Sequence, residues 1–141
     1  MFLLVSCEKP TITLEHKFDK ASWNAFRKVS FDYNNDDLES EYKLTLQVGL
    51  NGGYTAKDID IAMSQKNTAG ESRYASLSCL VKRNREFINS ADNNGIHIYS
   101  IVINPHANFT SKSNYEFYFE HRSATVDLNG IEYLNLLVEK I

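Results

Sequence analysis

The feature that most constrains this chain is a two-residue alternation of apolar and polar side chains, repeated in short blocks along its 141 residues. Tyr42, Leu44, Leu46, Val48 and Leu50 alternate with Lys43, Thr45 and Gln47. On an extended backbone that spacing puts the apolar set on one face. Val29, Phe31 and Tyr33 repeat the pattern, as do Ile59, Ile61 and Met63, while Tyr115, Phe117 and Phe119 sit opposite Glu116, Tyr118 and Glu120. Ile96 to Ile103 is apolar on both faces and reads as a central strand. Ile12 to Phe18, Tyr74 to Val81 and Leu134 to Val138 bring the expectation to about eight strands. Between them lie turn formers: Asn34-Asn35-Asp36-Asp37, Asn51-Gly52-Gly53, Asp92-Asn93-Asn94-Gly95 and Asn129-Gly130. No helical period competes over a long window, and no internal repeat is present. The expected fold is all-β, a single antiparallel β-sandwich of jelly-roll or Ig-like type.

Ahead of that domain, Leu4-Val5-Ser6-Cys7 matches the lipobox of bacterial lipoproteins, whose cysteine thiol receives a diacylglycerol. A complete signal peptide carries a basic region and roughly 7–15 apolar residues. Only Met1 to Ser6 precede Cys7 and none is basic, so the lipoprotein reading expects further residues upstream. The competing reading is an ordinary apolar strand. No other run approaches the roughly 18 apolar residues of a membrane span. The expected organisation is a residual signal peptide over 1–7, a tether over 8–11 and the sandwich over 12–141. Cys7 is the expected lipidation site, giving a cell-envelope protein held to a membrane by acyl chains.

Composition removes several function classes. The net charge is −3 with acids and bases mixed along the chain, which disfavours nucleic acid as a partner. Lys82, Arg83 and Arg85 form the only local basic cluster, read as a solvated turn in preference to a phosphate site. With Cys7 lipidated, Cys79 is the one remaining thiol; it alternates with Leu77 and Val81 and reads as a small core residue. The four histidines, His16, His97, His106 and His121, are scattered and form no His-x-His pair. Neither a Gly-x-Ser-x-Gly elbow, a phosphate loop nor an EF-hand is present. Asp58 and Asp60 share a strand face and could touch a cation together, but the spacing is read as an ordinary solvated sheet surface. No catalytic residue, metal site or cofactor is expected.

Two features could carry binding. Trp23, the only tryptophan, follows Phe18-Asp19-Lys20-Ala21-Ser22 and reads as a plug over one end of the sandwich; the alternative is a platform for a sugar ring. The tyrosines Tyr54, Tyr74, Tyr99 and Tyr118 form the second. Tyr74 is in register with Ser76 and Ser78, and Tyr118 with Glu116 and Glu120, so both should face outward. Trp23, Tyr54, Tyr74 and Tyr118 are the candidate binding surface, because tyrosine offers rigid contact area with a polar tip.

The order of motifs resembles the gliding-motility-associated lipoprotein H (GldH-like) family of Bacteroidetes over nearly the whole chain. The resemblance runs from Cys7 through His16-Lys17-Phe18-Asp19, Trp23, Val29-Ser30-Phe31-Asp32 and Tyr42-Lys43-Leu44-Thr45-Leu46. It continues through Gly53-Tyr54, Ile59-Asp60-Ile61, Tyr115-Glu116-Phe117, His121-Arg122, Leu128-Asn129-Gly130-Ile131 and Leu137-Val138-Glu139-Lys140. It implies a lipid anchor, the fold and no enzyme activity, and it supplies no ligand residue. Three readings stay open: a structural or assembly lipoprotein that binds other envelope proteins, a glycan-binding module, and an envelope hydrolase. The first expects an apolar or tyrosine-rich outer patch, the second an exposed Trp23 or paired tyrosines, and the third a cleft joining a histidine to a carboxylate or serine.

Overall fold

The structure is a computed structural model that describes residues 11–141. Cys7 and the tether residues up to Pro10 lie outside the described residues. Thirteen strands follow in chain order: β1 (Thr11–Lys17), β2 (Ser22–Asn24), β3 (Val29–Asn34), β4 (Glu41–Leu50) and β5 (Asp58–Asn67); β6 (Ser72–Leu80), β7 (Lys82–Arg83), β8 (Glu86–Phe87) and β9 (Ala91–Asn93); β10 (Ile96–Asn108), β11 (Asn114–His121), β12 (Asp127–Asn129) and β13 (Ile131–Lys140). A single 3-10 turn, Asp19–Ala21, joins β1 to β2. The expected eight strands become thirteen because β2, β7, β8, β9 and β12 are only two or three residues long. Such segments are too short to show a period.

The larger sheet has the order β1-β13-β4-β10-β9 and the smaller β3-β11-β5-β6, every pairing antiparallel. Among the long strands only the β5–β6 connection stays within one sheet; the others cross between sheets, the strand order of a jelly roll. Inward side chains of both sheets meet in one core, with Leu46, Val48, Phe117, Phe119, Leu134 and Leu136 fully buried. Burying a side chain of this size contributes roughly 1.5–3 kcal/mol, so the alternating faces are the main source of stability.

Strand β4, not β10, occupies the middle of its sheet, between β13 and β10. Beyond β10 lies only β9, which pairs with Ile96, His97 and Ile98. Ile98, Ile101 and Ile103 are half-buried and Val102 is exposed, so the apolar run is tolerated near an edge. Two register breaks fall between Val102 and Ala107, around Pro105, and make that edge a poor template for strand addition.

The sandwich has two unlike ends. Strand β1 starts beside Glu139 and finishes beside Tyr133. At the Thr11 end, Tyr33, Tyr42, Phe109 and Tyr115 close the core, with Phe109 4.7 to 5.3 Å from the other three rings. At the other end, Trp23 lies on the core. Gly130 ties the loops together there: its N–H donates to the Ala21 carbonyl and its carbonyl accepts from the Asn51 N–H, both at 2.8 Å.

Candidate functional site

The Trp23 end holds the most developed surface feature of the described residues. After β1, Phe18 enters the 3-10 turn, whose Lys20 and Ala21 take left-handed conformations (φ 54° and 50°) and turn the chain back over the core. Strand β2 then pairs with β12, placing Trp23 opposite Leu128. Trp23 is only 1% exposed. Its indole stacks on Phe18 at 5.2 Å, meets His121 edge-on at 5.3 Å, and donates Nε1–H to the Arg27 carbonyl at 2.8 Å. His16 packs edge-on against Phe18 at 4.8 Å, completing an aromatic file across this end. Burial lowers the His16 pKa from its ordinary value, which favours the neutral ring.

The turn after β2 carries a residue absent from the sequence expectations. The Asn24 carbonyl accepts from the Arg27 N–H at 3.0 Å, and the Asn24 side chain accepts from the Phe26 N–H at 2.9 Å while donating to Asp127 at 3.0 Å. The next residue, Ala25, donates its N–H to the Val126 carbonyl at 2.7 Å. Phe26 is thereby fixed at the tip of a braced turn, 85% exposed, and Val126 in the neighbouring loop is 51% exposed. Beside this apolar knob opens a cleft of about 540 Å³, lined among others by His16, Lys17, Phe18, Arg27 and Lys28. Lys28 reaches Glu120 at 3.2 Å, and Arg27 on the rim is exposed. The arrangement suits docking of an apolar group with a polar or acidic border.

The expected binding tyrosines do not gather into one site. Tyr54 is 1% exposed and donates its hydroxyl to the Asp58 carbonyl. Burial raises its pKa, with Asp58 and Asp60 adding to the shift. Tyr99 is also buried, bonding the Val81 and Ile88 carbonyls at 2.8 Å each. Trp23 therefore sits as the plug that the sequence favours and not as the alternative sugar platform, and Tyr54 is corrected from binding surface to core, where it anchors a turn. Tyr74 is exposed and Tyr118 is half-buried, with its hydroxyl donated to Glu116. The register sets Tyr74 opposite Ser64, and Ser64 opposite Tyr118, so the two rings flank a serine on the outer face of the smaller sheet.

The histidines are engaged separately. His121 accepts from the Ser123 N–H at Nδ1 and donates from Nε2 to the Val126 carbonyl, both at 3.2 Å. His97 Nδ1 lies 3.1 Å from the Ser90 hydroxyl and its ring stacks on Phe87, while His106 sits 3.5 Å from Glu41. The carboxylate nearest the serine–histidine pair in the register, Asp92, accepts a turn N–H from Gly95. Asp60 accepts from Ser78 at 2.6 Å on the outer sheet face. Cys79 packs against the core, and burial raises its thiol pKa away from thiolate reactivity. Among the described residues no group of three metal-ligating side chains converges.

The GldH lipoprotein family matches residues 11–136, nearly all of the described chain. The chain belongs to the GldH lipoprotein family. Membership of a lipoprotein family places this GldH-family protein on a membrane of the cell envelope. Among the described residues no helix is long and apolar enough to cross a membrane. No curated protein matches the sequence. A solved chain of Desmodium yellow mottle tymovirus is similar at 13% identity and a TM-score of 0.35, covering 99% of this chain and 91% of that one. That likeness is too slight to say anything of function.

Proposed function

We propose that this GldH-family protein is a non-enzymatic assembly component of the envelope, docking another envelope protein on the Phe26–Val126 knob. The observation that supports it is the exposure of Phe26 on a turn that hydrogen bonds brace on both sides. A phenyl ring left in water contributes nothing to the fold, and the braced turn limits the entropy lost when a partner covers it. Large apolar side chains on rigid elements are the usual anchors of protein interfaces. Lipidation at Cys7 would supply the membrane attachment. The chain enters β1 at the Thr11 end, opposite the knob. Six steps of about 3.3 Å make β1 about 20 Å long, so the start of β1 and the docking turn lie at opposite ends of the sandwich.

The test places a photo-cross-linking amino acid at position 26 of the lipidated protein in its native cells, with position 12 at the other end as control. A discrete adduct with one envelope protein, formed only from position 26 and lost in Cys7→Ala, is the expected result. Equal labelling from both positions would refute the docking role.

A second reading, binding of envelope glycan, is supported by the Tyr74–Ser64–Tyr118 row. Two strand spacings separate the rings by about 10 Å, enough for a sugar unit between them. Sugar binding that disappears in Tyr74→Ala and persists in Phe26→Ala would favour it over protein docking.

A further inference from the structure

The same end of the sandwich carries a cationic bowl on its other flank. Thr55, Lys57, Leu80, Lys82, Arg83, Asn84 and Arg85 enclose an open depression of about 380 Å³. Lys57 precedes β5, and the others cluster at and beyond the end of β6. Backbone bonds bring them together: the Lys57 carbonyl accepts from both Val81 N–H (2.7 Å) and Lys82 N–H (2.9 Å). The β7–β8 hairpin is rooted by Val81, fully buried, and by the Tyr99 hydroxyl that bonds the Val81 and Ile88 carbonyls. Lys82 Nζ lies 4.4 Å over the Phe87 ring. Four cationic residues therefore line one depression on a fixed base, with the Lys82 ammonium drawn over Phe87 at its edge.

No carboxylate lines the bowl, and none lies within ion-pair distance of these four cations among the described residues. The neighbouring carboxylates are Asp58 on β5 and Glu86 opposite Arg83 in the hairpin. The hairpin turn sets where Arg85 sits. Asn84 and Arg85 both adopt left-handed backbones, φ 52° and 66°. A two-residue turn of this kind favours Asn-Gly, since glycine takes the second position without strain. Arginine takes the second position here, at a cost in backbone conformation that a glycine would avoid, and it lines the bowl.

We infer that the bowl formed by Lys57, Lys82, Arg83 and Arg85 binds a phosphate group, with room for the sugar that carries it. Guanidinium forks match phosphate oxygens in pairs, and the lysines add point charge. Several cations lining one depression favour a doubly charged oxyanion over a single carboxylate. Thr55 and the partly exposed Leu80 complete the lining beside the cations, where a sugar ring could rest. The phosphate can come from a lipid headgroup or from a phosphorylated glycan, and the experiment separates these sources.

The full chain is titrated with glucose 6-phosphate, with glucose as the neutral control, while NMR follows Lys57, Arg83 and Arg85. A parallel flotation assay uses vesicles with and without phosphatidate. The expected result is saturable shifts from glucose 6-phosphate with Kd of about 1 mM or tighter, weakened roughly tenfold or more in Arg83→Gln or Arg85→Gln. Phosphatidate-dependent flotation lost in the same variants assigns the source to a lipid, and sugar-phosphate binding without flotation assigns it to a glycan. Arg85→Gly separates site from scaffold: its thermal midpoint should rise while binding falls. Absence of shifts and of flotation with either probe at about 10 mM phosphate, or undiminished binding in the Arg83→Gln/Arg85→Gln double variant, overturns the inference.

Discussion

Gly130→Ala should be among the most damaging single-atom additions to this protein. Gly130 sits at φ +85°, a left-handed conformation that costs an alanine roughly 1–2 kcal/mol. An added Cβ would also lie 2.2 Å from the Tyr54 nitrogen and 2.6 Å from the Gly53 carbonyl carbon, both backbone atoms that no rotamer change can move. Relieving that overlap means displacing the 51–54 turn or the β12–β13 connection, for which overpacking costs of about 1–3 kcal/mol are typical. The sum is roughly 2–5 kcal/mol, a large share of a domain's stability.

Gly70 supplies the control. It has the same φ of +85°, but an added Cβ there meets nothing within 4 Å. Gly70→Ala should therefore cost only the conformational part, about 1–2 kcal/mol. Urea denaturation followed by far-UV circular dichroism measures both. With a slope of about 1–3 kcal/mol per molar, Gly130→Ala should lower the midpoint by about 1 M or more, and well beyond Gly70→Ala. Equal midpoints for the two variants would refute the close-approach argument and leave only backbone conformation.

Further outcomes follow from the same geometry. Trp23→Ala should cost about 3–5 kcal/mol by chemical denaturation, because it empties a buried site stacked on Phe18. Phe26→Ala should leave the denaturation midpoint within about 0.5 kcal/mol of the parent, since the ring is exposed, while abolishing partner cross-linking. Burial holds the Tyr33 and Tyr54 phenols well above their ordinary pKa near 10, so their contribution is intact below about pH 10 and is lost as pH rises through the folded-state values. Denaturation midpoints across the alkaline range should fall less steeply in Tyr54→Phe. Asp37 is shifted the other way, its carboxyl held low by the Ser40 hydroxyl, the Glu39 N–H and Lys140. Its contribution is present above the ordinary carboxylate pKa of about 4 and lost below it, so Asp37→Asn should flatten the acid limb of the stability profile.

The long strands were legible because each repeats its period for five residues or more with one face buried. Tyr42 to Leu50 and Tyr115 to Phe119 show this most clearly, and their inward sides are the ones the alternation names. The short strands were not, since Lys82–Arg83 and Glu86–Phe87 are held by a turn and by the distant hydroxyl of Tyr99. Strand β10 was misplaced because an apolar run on both faces is equally compatible with a half-buried position near an edge. The candidate site was least legible. Phe26 becomes a knob only through the Asn24 turn and the long-range bond from Ala25 to Val126. Lys57 joins Lys82, Arg83 and Arg85 only through its carbonyl, so the linear cluster looked like a solvated turn.

Where the two surface features lie bears on how they could work together. Phe26 projects from the turn between β2 and β3, and β3 is the outermost strand on one side of the smaller sheet. The cationic bowl begins at the end of β6, the outermost strand on the other side. Three strand spacings separate those strands, about 15 Å, beyond the roughly 7–10 Å over which neighbouring substitutions normally couple. Phe26→Ala and Arg83→Gln should therefore act independently on stability. A partner that meets both features is different, because contact at one raises the effective concentration at the other. A bulky envelope molecule carrying both a protein surface and phosphate would then lose more affinity in the double variant than in either single one, whereas two separate partners would each respond to one substitution alone.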